Sequence, residues 1–337
     1  MDRIGKEISE LLLARSFEWK REVHKINQSN MIRMLQCDNH YVLVFCLICD
    51  APLIEIMEID GMRYGECAQC CHLQAINRPS RNYLEALYGS QGIAYTSQDL
   101  AYVDVSTSVL QDRISHIASP KVDFIVENIE YEHGDLWVDI GSGTGDLLIE
   151  AQNIGFSTMG IEASPSEINI ATTRGIRTLN IFYDGTQLIP ELKEAKIVSL
   201  INLLEHVDSP KTFLKNTISQ MKQGSYFVME VPRYNSASTI FQQFNSDLVY
   251  KHIWSPGHIN IFSDHSLSKL LDVSGARIIG KWLFGSDAIE IYGQIINSIS
   301  PGIKGDLLFY LKNIRYLQSV IDRAGLSDVM LVVSQKV

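Results

Sequence analysis

The segment Trp137-Val138-Asp139-Ile140-Gly141-Ser142-Gly143-Thr144-Gly145-Asp146 decides the fold of this 337-residue chain. It is typical of a buried strand followed by a glycine turn and the start of a helix. Glycines allow positive backbone torsions and let a ligand approach the main chain closely, as a nucleoside site at the mouth of a parallel sheet requires. The segment therefore predicts a nucleoside-containing ligand at the carboxyl end of this strand.

The spacing of these glycines argues against a dinucleotide cofactor. Dinucleotide folds use Gly-x-Gly-x-x-Gly, in which the third glycine leaves room for the helix and the pyrophosphate. Here the glycines fall at 141, 143 and 145, and Asp146 takes the position of that third glycine. Because an acidic side chain there would face a dianionic pyrophosphate, a nicotinamide or flavin cofactor is disfavoured.

The sequence on either side predicts an α/β domain over residues 131–337. Apolar runs alternate with helical segments, which indicates a Rossmann-like, mostly parallel sheet covered on both faces. The predicted strands are Leu136–Ile140, Thr158–Ile161, Ile197–Ile201 and Tyr226–Val231, and a helix over 305–324 and a strand over 328–334 are expected to close the sheet with an antiparallel edge.

Three smaller regions precede this domain. Residues 81–130 predict a helical lid or bridge, and residues 41–80 predict small hairpins around a set of cysteines. Residues 1–40 predict an N-terminal helical extension, because apolar residues recur at helical spacing over about the first 27 positions. We expect that helix to pack on the body of the protein or on a second copy, as in a homodimer.

Two acidic residues are placed to meet the ligand. Glu162 ends the second predicted strand, about 20 residues after Gly141, where a carboxylate can accept hydrogen bonds from both hydroxyls of an adenosine ribose. Its alternative role is an exposed acid that caps the following helix. Asp139 precedes the glycine turn and faces the same crevice, and its alternative role is a helix cap or a salt bridge.

Five of the six cysteines fall between positions 46 and 71. Cys46 and Cys49 form one Cys-x2-Cys pair, and Cys67 and Cys70 form a second pair shortly after it. This spacing lets two turns place four sulfurs about one Zn²⁺, and a shell of four thiolates leaves no open position, so the metal should be structural. A redox-active thiol pair is the alternative, and the adjacent Cys71 or His72 could replace Cys70.

Composition and charge exclude several classes of protein. The chain has 39 acidic and 29 basic residues and a formal charge of -10, which gives no field for generic nucleic-acid binding. A hydrophobic content of 46% excludes disorder. The longest apolar run, Tyr41 to Cys49, is too short for a membrane span, and the first residues do not resemble a secretory signal. We therefore expect a cytoplasmic protein that binds no membrane.

The motifs together resemble those of the class I, seven-strand S-adenosylmethionine-dependent methyltransferases, in the ubiquinone-biosynthesis-like branch. The resemblance rests on Val138 to Gly145, the Glu162 strand end and the run from Ser199 to Pro210. One subset of that branch carries an N-terminal zinc-binding segment followed by an Arg-Pro-Ser stretch and paired tyrosines, which Arg78-Pro79-Ser80, Tyr88 and Tyr95 match. The first 40 residues lie outside this pattern.

The resemblance implies a seven-stranded sheet and S-adenosyl-L-methionine as the cofactor, with S-adenosyl-L-homocysteine as the product. The glycine loop and Asp139 would line the methionine end of the cofactor, Glu162 would hold the ribose, and Asp184 lies in the loop that usually contacts the adenine. The predicted cofactor-binding residues are Asp139, Gly141, Ser142, Gly143, Gly145, Glu162, Ala163, Asp184, Asn202 and Leu203.

Three residues are candidates for contact with the methyl acceptor. His206 directly follows the fourth strand and titrates near neutral pH, so it is a candidate base; its alternative role is a structural turn. His258 lies in a segment, Pro256 to Ser263, that resembles the same subset of the family, and Tyr95 lies in the lid. The alternative role of His258 is a loop histidine whose hydrogen bonds are satisfied.

The sequence thus predicts a small-molecule methyltransferase. By the resemblance, the acceptor would be a sugar or nucleotide-linked sugar of glycan or secondary-metabolite biosynthesis. A quinone- or phenol-type O-methyltransferase is one alternative, and a non-catalytic partner protein that binds S-adenosylmethionine is another.

Overall fold

A computed structural model describes residues 1–6, 17–36, 40–88, 107–243, 252–253, 255–292 and 307–337. Its strands are β1 (Asp2–Ile4), β2 (His40–Val42), β3 (Leu53–Ile59), β4 (Met62–Cys67), β5 (Leu73–Ala75), β6 (Asn77–Pro79), β7 (Leu136–Ile140), β8 (Ser157–Glu162), β9 (Thr178–Asn180), β10 (Ile197–Ile201), β11 (Tyr226–Pro232), β12 (Asn260–Ile261), β13 (Ala276–Phe284) and β14 (Val329–Lys336).

Helices lie between these strands. They are α1 (Phe17–Gln36), α2 (Arg81–Tyr88), α3 (Thr107–Arg113), α4 (Ser119–Val126), α5 (Asp146–Asn153), α6 (Pro165–Thr173), α7 (Pro190–Glu194), α8 (Pro210–Gln220), α9 (Ala237–Gln243), α10 (Asp264–Ser274) and α11 (Leu307–Arg323). A π-helical turn, Ile114–Ala118, joins α3 to α4, and a 3-10 turn, Leu204–His206, follows β10. None of the described helices combines the length and apolar character that a bilayer span requires.

The main sheet has the order β1-β13-β14-β11-β10-β7-β8-β9, and only β14 runs antiparallel to its neighbours. Its central strands β7, β10 and β11 are almost wholly buried, as strands covered by helices on both faces must be. This confirms the predicted α/β class and the mostly parallel sheet. The four predicted strands and the closing antiparallel strand occur within two residues of their predicted bounds.

The chain start differs from the sequence prediction. Residues 2–4 form an eighth strand, β1, which pairs in parallel with β13, instead of the first turns of a helix. The Arg3 guanidinium lies over the rings of Phe124 and Trp282, and the Trp282 indole donates to the Gly5 carbonyl at 2.8 Å. So short a segment cannot show a period that distinguishes strand from helix, so these tertiary contacts decide.

Helix α1 packs on the body of the protein through its C-terminal part. Met31 and Met34 are buried in a cluster with Met62 and Tyr64 of the cysteine region. Ile32 and Leu35 on the same helix remain exposed. Packing on the body is thus observed for this part of α1, and the homodimer stays a prediction.

The cysteine region forms a small sheet with the order β12-β5-β4-β3, and β2 pairs separately with β6. Strand β12 comes from the segment after β11, far along the chain from the cysteines, and pairs Asn260 with Gln74. The buried cysteines also share one core with Phe262 and Leu267. The cysteine module is therefore built into the α/β domain.

The chain crosses the sheet between β9 and β10, so the strand order reverses beside β7. Ligands of open α/β sheets bind in the crevice outside the carboxyl ends of the strands at such a switch point. The glycine turn after β7 and the 3-10 turn after β10 both lie at this edge of the sheet.

Candidate functional site

The glycine loop adopts the positive backbone torsions that its sequence predicts. Gly141, Gly143 and Gly145 have φ angles of 74°, 54° and 82°, in the left-handed region that favours glycine. A Cβ at Gly141 would lie 3.1 Å from Cδ1 of Leu203, so the loop also lies close against the turn after β10. Helix α5 begins directly after Gly145, and its amino end therefore lies at the loop.

Glu162 braces this loop. Its Oε2 accepts a hydrogen bond from the Gly143 amide at 2.9 Å, and its Oε1 accepts from the amides of Ala163 and Ser164 at 2.7 and 2.9 Å. Ser164 is the N-cap residue of α6, so the carboxylate also caps the chain before that helix. The two roles considered for Glu162 are thus compatible, because it lines the cavity and holds the backbone on both sides.

A cavity of about 480 Å³ lies at this edge, a size suited to a small-molecule ligand. The predicted cofactor residues that line it are Asp139, Gly141, Ser142, Gly143, Glu162, Ala163, Asp184, Asn202 and Leu203. Gly145 does not line the cavity, because it lies behind the loop at the start of α5. The structure therefore brings almost the whole predicted set together, and its assignment to a cofactor stays a prediction.

Asp139 is fully buried at the base of the cavity. The Ser199 hydroxyl donates to its Oδ1 at 2.5 Å, and the Trp137 indole N–H donates to the same hydroxyl at 2.8 Å. Burial raises the pKa of Asp139 to about 7. In the described part of the chain its hydrogen-bond partner is therefore this hydroxyl, instead of the helix cap or salt bridge considered above.

Asp146 does not present an uncompensated charge. Arg113 and Arg174 form ion pairs with its two carboxylate oxygens at 2.7 and 2.5 Å. The repulsion of a pyrophosphate that the sequence suggested is therefore offset by two guanidinium groups. The sequence argument against a nicotinamide cofactor, which rested on an unpaired charge at Asp146, is therefore weakened. Sequence spacing could not pair either arginine with this residue.

The predicted acceptor residues His206 and His258 lie together although they belong to different loops. Their rings meet edge to face with centroids 4.8 Å apart. His206 Nδ1 lies 2.9 Å from the Gly257 carbonyl and 3.0 Å from the Tyr88 hydroxyl. Burial lowers the pKa of His206 to about 4, so the imidazole is neutral in neutral solution. His206 lines the cavity and His258 lies behind it, whereas Tyr95 lies outside the described residues.

Sequence reasoning missed two buried carboxylates beside these histidines. Glu205 is fully buried, and burial raises its pKa to about 8. Glu230 accepts from the Lys121 ammonium at 2.8 Å and from the Asn202 side-chain amide at 3.1 Å, and Lys121 lines the cavity. Glu230 is a single charge inside an apolar strand and Glu205 directly follows two leucines, and those placements were the available signal.

The cysteine module holds the two histidine-bearing loops in place. The fully buried Arg78 guanidinium donates to the carbonyls of Ile259 and Asp208, both at 2.9 Å. The Tyr64 hydroxyl donates to the His258 carbonyl at 3.0 Å. The Arg-Pro-Ser stretch therefore joins the loop after β10 to the loop after β11.

The four predicted metal ligands converge. Their sulfurs all lie within 4.8 Å of one another, and three of the distances are 3.5 Å (Cys46–Cys70), 3.4 Å (Cys49–Cys67) and 3.6 Å (Cys49–Cys70). Four thiolates around Zn²⁺ with bonds of about 2.3 Å stand roughly 3.8 Å apart, so this set fits that ion. Cys71 is not part of the group, and His72 packs its ring against Phe262.

Comparison with known proteins identifies the family of this chain. A family model described as a methyltransferase domain matches residues 110–280, just over half of the chain. The chain belongs to the S-adenosylmethionine-dependent methyltransferase family. The match covers the glycine loop, the Glu162 strand end and both candidate histidines, in agreement with the sequence prediction.

Curated relatives are distant and only partly covered. A ubiquinone biosynthesis O-methyltransferase of Rickettsia typhi is 26% identical over 137 residues, which are 38% of this chain and 54% of that protein. The C-methyltransferase NovU of Streptomyces niveus is 25% identical over 167 residues, which are 47% of this chain and 36% of that protein. The chain thus spans about half of the first relative and about a third of the second.

Two solved structures show similarity at low sequence identity. A SAM-dependent methyltransferase from Archaeoglobus fulgidus is 18% identical with a TM-score of 0.45, over 68% of this chain and 100% of that one. The geranyl diphosphate C-methyltransferase of Streptomyces coelicolor is 12% identical with a TM-score of 0.43, over 69% of this chain and 86% of that one.

Proposed function

We propose that this protein transfers a methyl group from S-adenosylmethionine to a small molecule. The observation that carries the proposal is the cavity at the carboxyl ends of β7, β8 and β10, where a glycine loop is held open by the Glu162 carboxylate. Main-chain atoms of the loop are accessible for the methionine end of the cofactor, and Glu162 can accept hydrogen bonds from ribose hydroxyls. Calorimetry with S-adenosylhomocysteine tests the binding, and transfer of a labelled methyl group tests the reaction.

Methyl transfer mainly requires that the acceptor atom be aligned with the methyl group. Methyl transfer is an in-line displacement at a sulfonium carbon that is already activated, and positioning contributes about 7–11 kcal/mol. A general base adds only about 10²–10⁴-fold and works best with a pKa near the working pH. Since burial lowers the pKa of His206 well below neutrality, we propose that the histidines first of all orient the acceptor. A role of His206 as a base stays a prediction.

For the acceptor we propose a sugar or a nucleotide-linked sugar. His206 lines the cavity, and Glu205 and His258 lie beside it. Ring nitrogens and carboxylate oxygens accept hydrogen bonds from hydroxyl groups. A quinone or phenol acceptor is the alternative, favoured by the ubiquinone O-methyltransferase among the relatives. Labelled transfer to a panel of nucleotide sugars and catechols separates the two.

A non-catalytic protein that binds S-adenosylmethionine is the competing class. Binding of the cofactor with no transfer to a broad acceptor panel would support it. His206 in the cavity lining favours catalysis, because a protein that only binds the cofactor needs no place for a methyl acceptor.

We also propose that the cysteine module holds one structural Zn²⁺. The four sulfurs already surround a common centre, and the Ile48 amide lies 3.4 Å from the Cys46 sulfur, where it can donate to a thiolate. Four unpaired thiols this close persist in a reducing compartment, so we propose a cytoplasmic location. Elemental analysis of protein purified without chelator should give one zinc per chain.

A further inference from the structure

Three metal-ligating side chains from two distant segments converge beside the cavity, and His206 alone of the three lines it. One donor atom each from Glu205, His206 and His258 lies within 4.8 Å of the others, and Glu205 Oε1 lies 4.0 Å from His206 Nε2. An ion with bonds of about 2.1 Å holds neighbouring ligands roughly 3.0–3.4 Å apart. The three donors would therefore bind one ion after side-chain adjustments of roughly 1–2 Å.

Both imidazoles are held as metal-ligating histidines usually are. His206 Nδ1 lies 2.9 Å from the Gly257 carbonyl, and His258 Nδ1 lies 2.9 Å from the His252 carbonyl. Since a carbonyl only accepts, each Nδ1 carries the proton and each Nε2 carries the lone pair. Ligating histidines almost always donate their second ring N–H to a carbonyl or carboxylate, which fixes the tautomer and the ring orientation.

Glu205 gives an independent reason to expect a cation. Its side chain is 1% exposed, and neither carboxylate oxygen has a hydrogen-bond partner among the described residues. The nearby Lys121 ammonium pairs with Glu230 instead. Burying a carboxylate without a partner is costly, so such groups in native proteins bind an ion, a proton or a ligand.

We propose that Glu205, His206 and His258 bind one divalent transition-metal ion. Two imidazole nitrogens and one carboxylate suit Fe²⁺, Co²⁺ or Zn²⁺ and leave coordination positions open, unlike the closed set of four cysteines. His206 lines the cavity, so an open position would be within reach of acceptor oxygens. That use of the ion rests on the proposed methyl transfer, whereas ion binding itself does not.

Cobalt titration of the full-length protein loaded with a single equivalent of zinc tests the site. With the cysteines already filled, we expect one further equivalent of Co²⁺ with weak visible bands and no intense thiolate-to-metal absorption. Glu205→Gln and His258→Gln should each weaken this binding by at least about 100-fold while keeping the first zinc. The matched control is His133→Gln, because His133 is exposed on a loop outside the cavity and should leave the titration unchanged.

Several outcomes would overturn the proposal. They are no second equivalent in the wild type, loss of binding in the control variant, and unchanged binding in both site variants. Zinc content and S-adenosylhomocysteine binding check that the variants fold, and His206→Gln replaces either that does not. Cobalt binding without any cofactor binding would refute the proposed function and leave the metal site standing. Specific cobalt binding would also exclude His206 as the base, since its Nε2 lone pair is then shared with the ion.

Discussion

The cysteine cluster and the glycine loop are both short stretches of sequence, but one forms a site from its side chains and the other mainly from its main chain. In the cluster, four side chains converge on one another and three of them are buried. In the loop, every second residue is a glycine, and the main chain helps to line a cavity of about 480 Å³. Four cysteine side chains complete the coordination shell of a metal, which suits a structural ion. The open main-chain surface of the glycine loop suits a ligand that enters and leaves.

The two regions are nevertheless coupled through the acceptor end of the cavity. Strand β12 belongs to the sheet of the cysteine module and closely follows His258. Arg78 and Tyr64 of the module donate to the carbonyls of Ile259 and His258. We therefore expect loss of the metal to disturb the acceptor end more than the glycine loop.

The largest expected effect comes from opening the closed cluster. The double change Cys46→Ser and Cys49→Ser should abolish zinc binding and lower the free energy of unfolding by more than about 4 kcal/mol, because metal binding there is coupled to folding. Zinc analysis together with urea unfolding measures both quantities. Cys71→Ser is the matched control, since Cys71 is adjacent to the cluster and outside it. Zinc retained at one equivalent in the double variant would refute the assignment of these ligands.

Breaking the open site should affect ligand binding first. In Glu162→Gln, one of the two carboxylate oxygens becomes an NH₂ group, which cannot accept a hydrogen bond. Either the Gly143 backbone N–H or those of Ala163 and Ser164 then lose their acceptor. An unsatisfied polar group costs about 1–3 kcal/mol, so S-adenosylhomocysteine should bind about 10- to 100-fold more weakly by calorimetry. Zinc content should stay at one equivalent.

The exposed Glu132→Gln serves as the control for that measurement, because Glu132 lies outside the cavity. Unchanged affinity in Glu162→Gln would show that the carboxylate braces the loop without contacting the ligand. Loss of zinc in Glu162→Gln would contradict the expectation that zinc binding by the cysteine cluster does not depend on the glycine loop.

The sequence predicted both regions because short spacing defines each of them. Two Cys-x2-Cys turns bring their own sulfurs together, and a glycine turn after a buried strand adopts positive φ angles wherever the strand lies. Parallel strands carry Glu162 to the same edge as Gly141 through regular pairing, so its place in the sequence after the glycine turn was enough. These features are set by local geometry and sheet topology.

The acceptor end could not be predicted in this way. The edge-to-face contact of His206 with His258, the pairing of Lys121 with Glu230 and the two arginines on Asp146 join segments that only the tertiary fold brings together. Strand β1 was missed for the same reason, since its pairing with β13 depends on contacts between opposite ends of the chain. Charge at Asp146 was therefore interpreted without its partners.

A smaller effect is expected in the pH dependence of stability, through Asp139 at the base of the cavity. Between pH 5 and 7 the folded protein keeps a proton on Asp139, whose pKa burial raises to about 7, whereas the unfolded chain has lost it. The folded state then binds more protons, so this residue's contribution to stability falls as pH rises, by about 2 kcal/mol across that window.

Urea unfolding of the wild type and of Asp139→Asn at both pH values measures this contribution as the difference between the two proteins. Asp287 and Glu205, whose pKa values are also raised by burial, affect both proteins alike and cancel. Equal pH dependence in the two proteins would show that Asp139 is ionised across the whole window.

The smallest expected effect concerns the ion pair that holds helix α2 at the rim of the cavity. Arg81, at the start of α2, forms an ion pair with Asp184 across the cavity rim, but its side chain is 54% exposed. Exposed pairs contribute about 0.2–1 kcal/mol and are screened by salt. Arg81→Gln should therefore lower the free energy of unfolding by less than about 1 kcal/mol at low salt and by nothing measurable at high salt, with zinc content unchanged. Arg277→Gln, at an exposed position of β13, provides the matched loss of one charge. A loss in Arg81→Gln that persists at high salt would mean that α2 is held as firmly as the cysteine module, and that the cavity is closed by packing instead of a surface ion pair.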